Sequence, residues 1–184
     1  MAVRIPERFP SRATIEVLKT ADVIVACVDR FDARADVNAL TRRYLIPLID
    51  IGMTIRSNGE RLASANGQLI VTVPGQPCMR CWFLTDALLA NERTERPLSY
   101  DSNPDRVGDP QVVSMNGVLA SEAANSVLDL ITGYSNGHRR AKVWRYDGRA
   151  GELVQCELPA APTTDAKPPQ CWEGQVTQAA GEWP

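Results

Sequence analysis

The chain has 184 residues, of which 44% are hydrophobic, so it is long enough to bury a core as one domain. Its 20 Lys and Arg against 22 Asp and Glu leave a net charge of −2, which gives no electrostatic reason to expect nucleic acid or a membrane as a partner. No apolar run reaches the roughly 20 residues of a membrane span, and no signal-peptide pattern is seen. Five cysteines, an odd number, favour reduced thiols or a metal site in a cytoplasmic protein over a disulfide framework.

Three consecutive segments predict a β-α-β unit, after a short helix over residues 12–20. The unbroken apolar run at 23–28 indicates a strand buried on both faces, which would make Cys27 a buried thiol without a chemical role. Residues 32–44 carry apolar side chains at helical spacing, with Asp32 as the N-cap. The apolar run at 45–52 then predicts the second strand.

Antiparallel ribbons are predicted after this unit, because the Asn-Gly pairs at 58–59 and 66–67 are turn signals between β-rich runs. Residues 84–110 predict a helix fragment followed by a long surface loop. Two strands, 142–146 and 152–158, predict a late hairpin.

The clearest helix is predicted over residues 111–132, with Gly133 as its C-cap. Its packing face is predicted to be an apolar stripe of small and branched residues: Ala120, Ala123, Ala124, Val127, Leu128 and Ile131. The pattern as a whole predicts one α/β domain over residues 1–158. A proline-rich, irregular tail is predicted over 159–184.

Asp29 and Asp50 are expected at a ligand-binding edge, because ligands in open α/β sheets bind beyond the carboxyl ends of the strands. Arg34 and Asn38 follow Asp29 at intervals of five and four residues, which places them on one helix face near the same edge. A carboxylate there can hold Mg²⁺ or a ligand hydroxyl. The alternative is structural: Arg34 would form an ion pair with Asp29 or with an acidic residue of the helix, Asp32 or Asp36.

Cys78 and Cys81 form a Cys-x-x-Cys motif in a turn bounded by Pro and Gly. Two thiolates at this spacing can reach one tetrahedral Zn²⁺ if further ligands arrive from elsewhere, for which Cys171, Cys156 and His138 are the candidates. A redox pair is the alternative, although redox motifs of this kind begin a helix after a strand.

Other catalytic motifs are missing from the sequence. Neither G-x-G-x-x-G nor G-x-x-x-x-G-K-[ST] occurs, so no glycine-rich phosphate loop is predicted. His138, the only histidine, lies in a polar segment and supports no specific nucleophile–base pair.

These segments together resemble the ThiF, HesA and MoeB family, relatives of the ubiquitin-activating enzymes. The resemblance begins with ADVIVACVDRFDARADVN and LIPLIDIGM, where Asp29, Arg34 and Asn38 match the family pattern. Cys78-Met79-Arg80-Cys81 matches the first zinc pair, residues 115–134 match a late helix, and residues 144–147 match a late strand.

The resemblance implies a partial Rossmann-like ThiF-type adenylation domain that activates the carboxy terminus of a β-grasp partner, a ubiquitin-like or sulfur-carrier protein. ATP and Mg²⁺ are the implied cofactors, with Asp29 near the metal and triphosphate and with Arg34 and Asn38 shaping the pocket. A structural zinc is also implied, whereas a homodimer is expected only under the docking or dimerisation alternative given below.

Three departures from the family pattern qualify this implication. The family's glycine-rich loop and phosphate-binding residues would precede the part seen here, so the chain resembles the carboxy-terminal portion and is expected to bind ATP poorly. Residues 85–110 contain no cysteine for a thioester or persulfide, and Cys171 supplies only half of the second zinc pair. The fourth zinc ligand would be Cys156, His138 or water. The alternatives are a non-catalytic, zinc-stabilised docking or dimerisation module, or an incomplete fragment without an independent function.

Overall fold

The computed structural model describes Ala2 and residues 4–58, 61–82, 113–135 and 140–156. Within these ranges the helices are α1 (Arg12–Leu18), α2 (Phe31–Tyr44), α3 (Met79–Trp82) and α4 (Val113–Thr132). The strands are β1 (Ile24–Ala26), β2 (Leu48–Asn58), β3 (Arg61–Thr72), β4 (Lys142–Asp147) and β5 (Glu152–Cys156). They form one mixed sheet in the order β1-β2-β3-β4-β5, which confirms the predicted α/β class.

The β-α-β unit is confirmed with shifted boundaries. β1 is parallel to β2, and this pairing ends where Ala26 lies opposite Asp50. The other strand pairs are antiparallel, and β2 continues past Gly52 because it keeps pairing with β3. The N-cap of α2 is Arg30, so the prediction of Asp32 as N-cap is wrong; Asp32 lies in the first turn, where its charge complements the helix dipole.

β1 is buried on one face only. Ile24 and Ala26 lie in the core, whereas Val25 is 45% exposed and the Cys27 thiol is also exposed. The predictions of a strand buried on both faces and of a buried Cys27 are therefore wrong. The physical reason is that α4 packs on β2 and β3, which leaves Val25 and Cys27 exposed.

The sheet separates two apolar layers. On one face α1, α2 and α3 pack around a core made of Ile15, Ile24, Ala26, Val37, Leu40, Ile46, Leu48, Ile70 and Met79. On the other face α4 packs around a core made of Ile49, Leu69, Val71, Val73, Leu119, Ala123, Leu130 and Tyr146. Side chains of β2 and β3 alternate between the two cores, as the two-residue period of a strand requires.

The predicted ribbon of β2 and β3 is confirmed, but one predicted turn is wrong. Asn66 and Gly67 lie inside β3, where Gly67 is opposite Met53. A Cβ at Gly67 would lie 2.6 Å from Leu119 Cδ1 and 3.0 Å from Met53 Sδ. The glycine is therefore explained by the close approach of α4, and not by a turn.

The rotation of α4 differs from the predicted stripe. Its buried residues are Leu119, Ala123, Ser126, Asp129 and Leu130, whereas Ala120, Ala124, Leu128 and Ile131 are exposed and Val127 is half-buried. Asp129 faces the sheet because its carboxylate accepts hydrogen bonds from Lys142 Nζ, at 3.0 Å, and from the Ser135 backbone N–H, at 3.2 Å. Gly133, with a φ of 67°, follows the helix as predicted.

The late hairpin is confirmed as β4 and β5. Asp147 closes its turn by accepting hydrogen bonds from the backbone N–H groups of Arg149 and Ala150. The predicted segment 84–110, His138 and the tail 159–184 with Cys171 lie outside the described residues. None of the described helices has the length and apolarity that a bilayer crossing requires.

A matched pair of glycine substitutions tests the packing of α4. Gly67→Ala should lower the free energy of unfolding by about 1–3 kcal/mol, because its Cβ would lie 2.6 Å from Cδ1 of the fully buried Leu119. Gly117→Ala should raise it by about 0.5–1 kcal/mol, because a Cβ at this exposed helical position meets nothing within 4 Å. Urea unfolding of both variants measures the difference, and equal effects of the same sign would contradict this packing.

Candidate functional site

The carboxyl end of β1 presents one exposed carboxylate. Asp29 lies three residues after Ala26, between β1 and α2, and forms no hydrogen bond or ion pair with the described residues. Asp50 lies opposite Ala26, where the parallel pairing ends, but it is the third residue of β2 and is completely buried, so the prediction that it lies at the carboxyl end of its strand is wrong. The edge thus has one carboxylate open to a ligand and one enclosed by protein.

Arg34 is held by Asp50 and not by an acidic residue near it in sequence. Its Nη1 forms a hydrogen-bonded ion pair with Asp50 Oδ2, and its Nη2 donates to the carbonyl oxygen of Ile51 at 3.0 Å. The guanidinium lies against Gly52, where a Cβ would be 2.6 Å from Arg34 Nη2. This pair fixes the first half of α2 to β2.

Arg34 therefore forms an ion pair, as the structural alternative predicted, but its partner is Asp50 and not Asp29, Asp32 or Asp36. Asp32 instead pairs with Arg30, whose Nε donates to Asp32 Oδ1 at 2.9 Å. That hydrogen bond is the main reason why the pKa of Asp32 is lowered.

Burial raises the pKa of Asp50 to about 6, with the charge and hydrogen bond of Arg34 opposing the rise. Its second carboxylate oxygen, Oδ1, is buried without a hydrogen-bond partner among the described residues. The ionised form of Asp50 is therefore stabilised on one oxygen only.

Asn38 connects α2 to the Cys-x-x-Cys turn. It is buried one turn after Arg34, and its Nδ2 donates to Cys78 Sγ at 3.7 Å. Its Oδ1 accepts the backbone N–H of Met79, the first residue of α3, at 3.2 Å. Both polar atoms of the Asn38 side chain are thus used inside the protein.

Arg42 continues the same side of α2 one turn further on. Its Nη1 donates to the carbonyl oxygen of Val73, just after β3, at 3.1 Å. Arg34, Asn38 and Arg42 are all buried and lie four residues apart. They form a polar row on α2 that contacts β2, the start of α3 and the end of β3 in turn.

The two thiols of the Cys-x-x-Cys motif are hydrogen-bonded to each other. Cys78 is fully buried, and the bond from Cys81 is the main reason why the pKa of Cys78 is lowered to about 5, with Asn38 contributing. Two hydrogen-bonded thiols, with one held towards the thiolate, fit half of a tetrahedral zinc site.

No three His, Cys, Asp or Glu side chains converge as a metal site within the part of the chain that the structure describes. Cys156, at the end of β5, is therefore not brought together with Cys78 and Cys81. Cys171 and His138 lie outside the described residues. The structure thus brings together two of the predicted zinc ligands.

Sequence reasoning missed Asp50 as the partner of Arg34 and Cys78 as the partner of Asn38. A usable signal was present for the first, since a buried acidic residue in an apolar strand followed by glycine is unusual: Asp50 and Gly52 interrupt the run of β2. Nothing local pointed to the second contact, which joins residues 40 apart in the sequence.

The raised pKa of Asp50 predicts a specific pH dependence of stability. Below about pH 4 Asp50 is protonated in both states, whereas between about pH 4 and 6 the folded protein retains a proton that the unfolded chain has released. The stability contributed by Asp50 should therefore fall as the pH rises through this window, by up to about 3 kcal/mol. Urea unfolding from pH 3.5 to 7 should show this fall relative to Asp50→Asn, and parallel profiles would contradict it.

The sequence was compared with families of known proteins. The sequence model of the ThiF family matches residues 2–172. No curated protein matches significantly.

Solved structures share the fold. E. coli MccB, solved with ATP, superposes with a TM-score of 0.58 at 17% identity over 86% of this chain and 43% of MccB. PaaA superposes with a TM-score of 0.53 at 16% identity over 82% of this chain and 46% of PaaA. The present chain thus spans less than half the length of either protein. Because the family model matches nearly the whole sequence, the chain belongs to the ThiF family.

Proposed function

We propose that the chain forms the distal part of an ATP-dependent adenylation site, with Asp29 as its nucleotide-side carboxylate. The observation that carries this proposal is the position of Asp29, exposed and without a described partner beyond β1, beside a helix that Arg34 and Asp50 fix to the sheet. MccB, which shares this fold, was solved with ATP and also with AMPCPP and MccA. Family membership and the open carboxylate both point to the same edge.

The proposed reaction is acyl adenylation. A carboxylate oxygen at the carboxy terminus of a ubiquitin-like or sulfur-carrier β-grasp protein attacks the α-phosphorus of ATP. The bond between the α-phosphorus and the bridging oxygen breaks, and the products are an acyl adenylate and pyrophosphate. The protein's contribution to such a reaction is positioning and charge neutralisation.

Within this site Asp29 would hold Mg²⁺, which neutralises phosphate charge when bound. Arg34 and Asn38 would act indirectly, since Asp50, Ile51, Cys78 and Met79 occupy their polar atoms. They shape the edge by holding α2 in place.

The groups that grip the phosphates would come from an α/β unit outside the present sequence, packed on the uncovered face of β1. Two features support this placement. Val25 is 45% exposed on that face, and β1 pairs with β2 alone among the described strands. An apolar strand face next to an unpaired edge fits a further strand and helix better than it fits water.

A structural zinc is part of this proposal. Cys78 and Cys81 would supply two ligands and Cys171 a third, with the fourth from His138, Cys156 or water. A site of this kind needs reduced thiols, which suits the cytoplasm.

A second candidate is a non-catalytic docking or dimerisation module with the same zinc-stabilised lobe. The observation that favours it is that both polar residues matched to the nucleotide site on α2, Arg34 and Asn38, are engaged in internal contacts. A homodimer is proposed under this alternative. An incomplete fragment would instead aggregate through its unpaired strand edge.

The adenylation proposal predicts where ATP binding appears. The present chain alone should give no detectable heat with ATP in calorimetry, because no glycine-rich loop occurs in its sequence. When it is joined to, or co-expressed with, the polypeptide encoded immediately upstream, ATP–pyrophosphate exchange should appear. Asp29→Ala should lower that exchange about 100-fold or more.

The controls separate the candidates. Asp22→Ala, at the exposed opposite end of β1, should leave exchange unchanged, and Val25→Asp should abolish assembly of the two parts without unfolding this chain. Assembly without exchange would favour the docking module, as would a defined homodimer in light scattering. Polydisperse aggregates would instead favour the incomplete fragment. Micromolar ATP binding by the chain alone, lost in Asp29→Ala, would contradict the need for a second part.

A further inference from the structure

The Asn38 side chain makes two hydrogen bonds to the Cys-x-x-Cys turn, one as a donor and one as an acceptor. The amide nitrogen donates to Cys78 Sγ at 3.7 Å, and the amide oxygen accepts the Met79 N–H at 3.2 Å. Since one planar group makes both bonds, it fixes the sulfur of Cys78 relative to the backbone that leads to Cys81. The Cys81 N–H in turn donates to the Cys78 carbonyl oxygen at 2.9 Å, which closes the turn.

An N–H donor on a thiolate sulfur has a known effect at metal sites. It orients the ligand and offsets part of its negative charge, and loss of such a partner typically weakens metal binding about 10–100-fold. Because Asn38 is buried, its amide N–H donor is already oriented before a metal arrives.

We propose that Asn38 is the positioning residue of the zinc-binding thiols and that it links metal binding at Cys78 and Cys81 to the placement of α2. This inference rests on the zinc site in the proposed function. Arg34 lies one turn before Asn38 on the same helix and is bonded to Asp50 at the edge. Metal binding at the turn therefore stabilises the helix that carries the Arg34–Asp50 pair.

Cobalt titration of the reduced, metal-free full chain tests the positioning role through thiolate-to-cobalt absorption, with Zn²⁺ displacement giving the affinity. The wild type should bind about one metal ion. Asn38→Leu, which removes both bonds, and Asn38→Asp, which keeps the acceptor for Met79 but loses the donor to Cys78, should each bind about 10–100-fold more weakly. Asn125→Leu, on the exposed surface of α4, should bind as the wild type does.

Three outcomes are informative. Equal affinities of the wild type and both Asn38 variants would overturn the positioning role while leaving the zinc site intact. No cobalt binding by the wild type would overturn both. A loss of affinity no larger than the loss in metal-free folding stability would reduce Asn38 to a structural residue and would also overturn the inference.

Hydrogen exchange of the wild type keeps the inference testable if the variants do not fold. Added Zn²⁺ should slow exchange at the Met79 N–H and throughout α2, and should leave residues 119–130 of α4 unchanged. Slowing confined to residues 74–82 would show that metal binding does not reach α2.

Discussion

The buried ion pair between Arg34 and Asp50 is the constraint on which this edge of the molecule depends. It joins the first half of α2 to the point where the parallel pairing of β1 and β2 ends. Two charges inside a protein are costly unless they are paired with good geometry, so neither side chain can leave without exposing the other. Gly52 belongs to the same arrangement, since any larger residue would occupy the space of the guanidinium. The position of Asp29 follows from this pair, because Asp29 lies in the short connection between the two elements that the pair holds together.

α2 is held along one side by internal contacts, and the exposed Asp29 precedes its N-terminal end. Its polar row of Arg34, Asn38 and Arg42 reaches β2, the Cys-x-x-Cys turn and the end of β3, three segments that are distant in sequence. All three side chains make internal contacts. Of Asp29, Arg34 and Asn38, which match the family pattern, Asp29 is the exposed residue. The residues that hold the helix are therefore buried, and Asp29, for which we propose a ligand-binding role, is exposed.

Much of the fold could be predicted because its signals are local. The β-α-β unit, the β2–β3 ribbon, the long helix and the late hairpin follow from apolar periodicity and turn residues, and the family followed from their combination. The partners of Arg34 and Asn38 could not, because they depend on strand register and on a turn 40 residues away. The rotation of α4 was also hidden, since its apolar residues surround more than one face, and the fit of Leu119 over Gly67 and the contacts of Asp129 with Lys142 and Ser135 select among them. The exposure of Cys27 depends on which face of β1 a helix covers, which an apolar run does not reveal.

A double-mutant cycle on Arg34 and Asp50 tests the central claim most directly. Arg34→Met and Asp50→Leu should each lower the free energy of unfolding by about 3–5 kcal/mol, because each leaves a buried charge without its partner. The double variant should cost at least about 2 kcal/mol less than the sum of the two, since it buries no unpaired charge. The same cycle on Lys19 and Glu16, a partly exposed pair at α1, should show no measurable coupling. Additive effects at Arg34 and Asp50 would contradict the account, because they would show that the two residues do not hold each other in place.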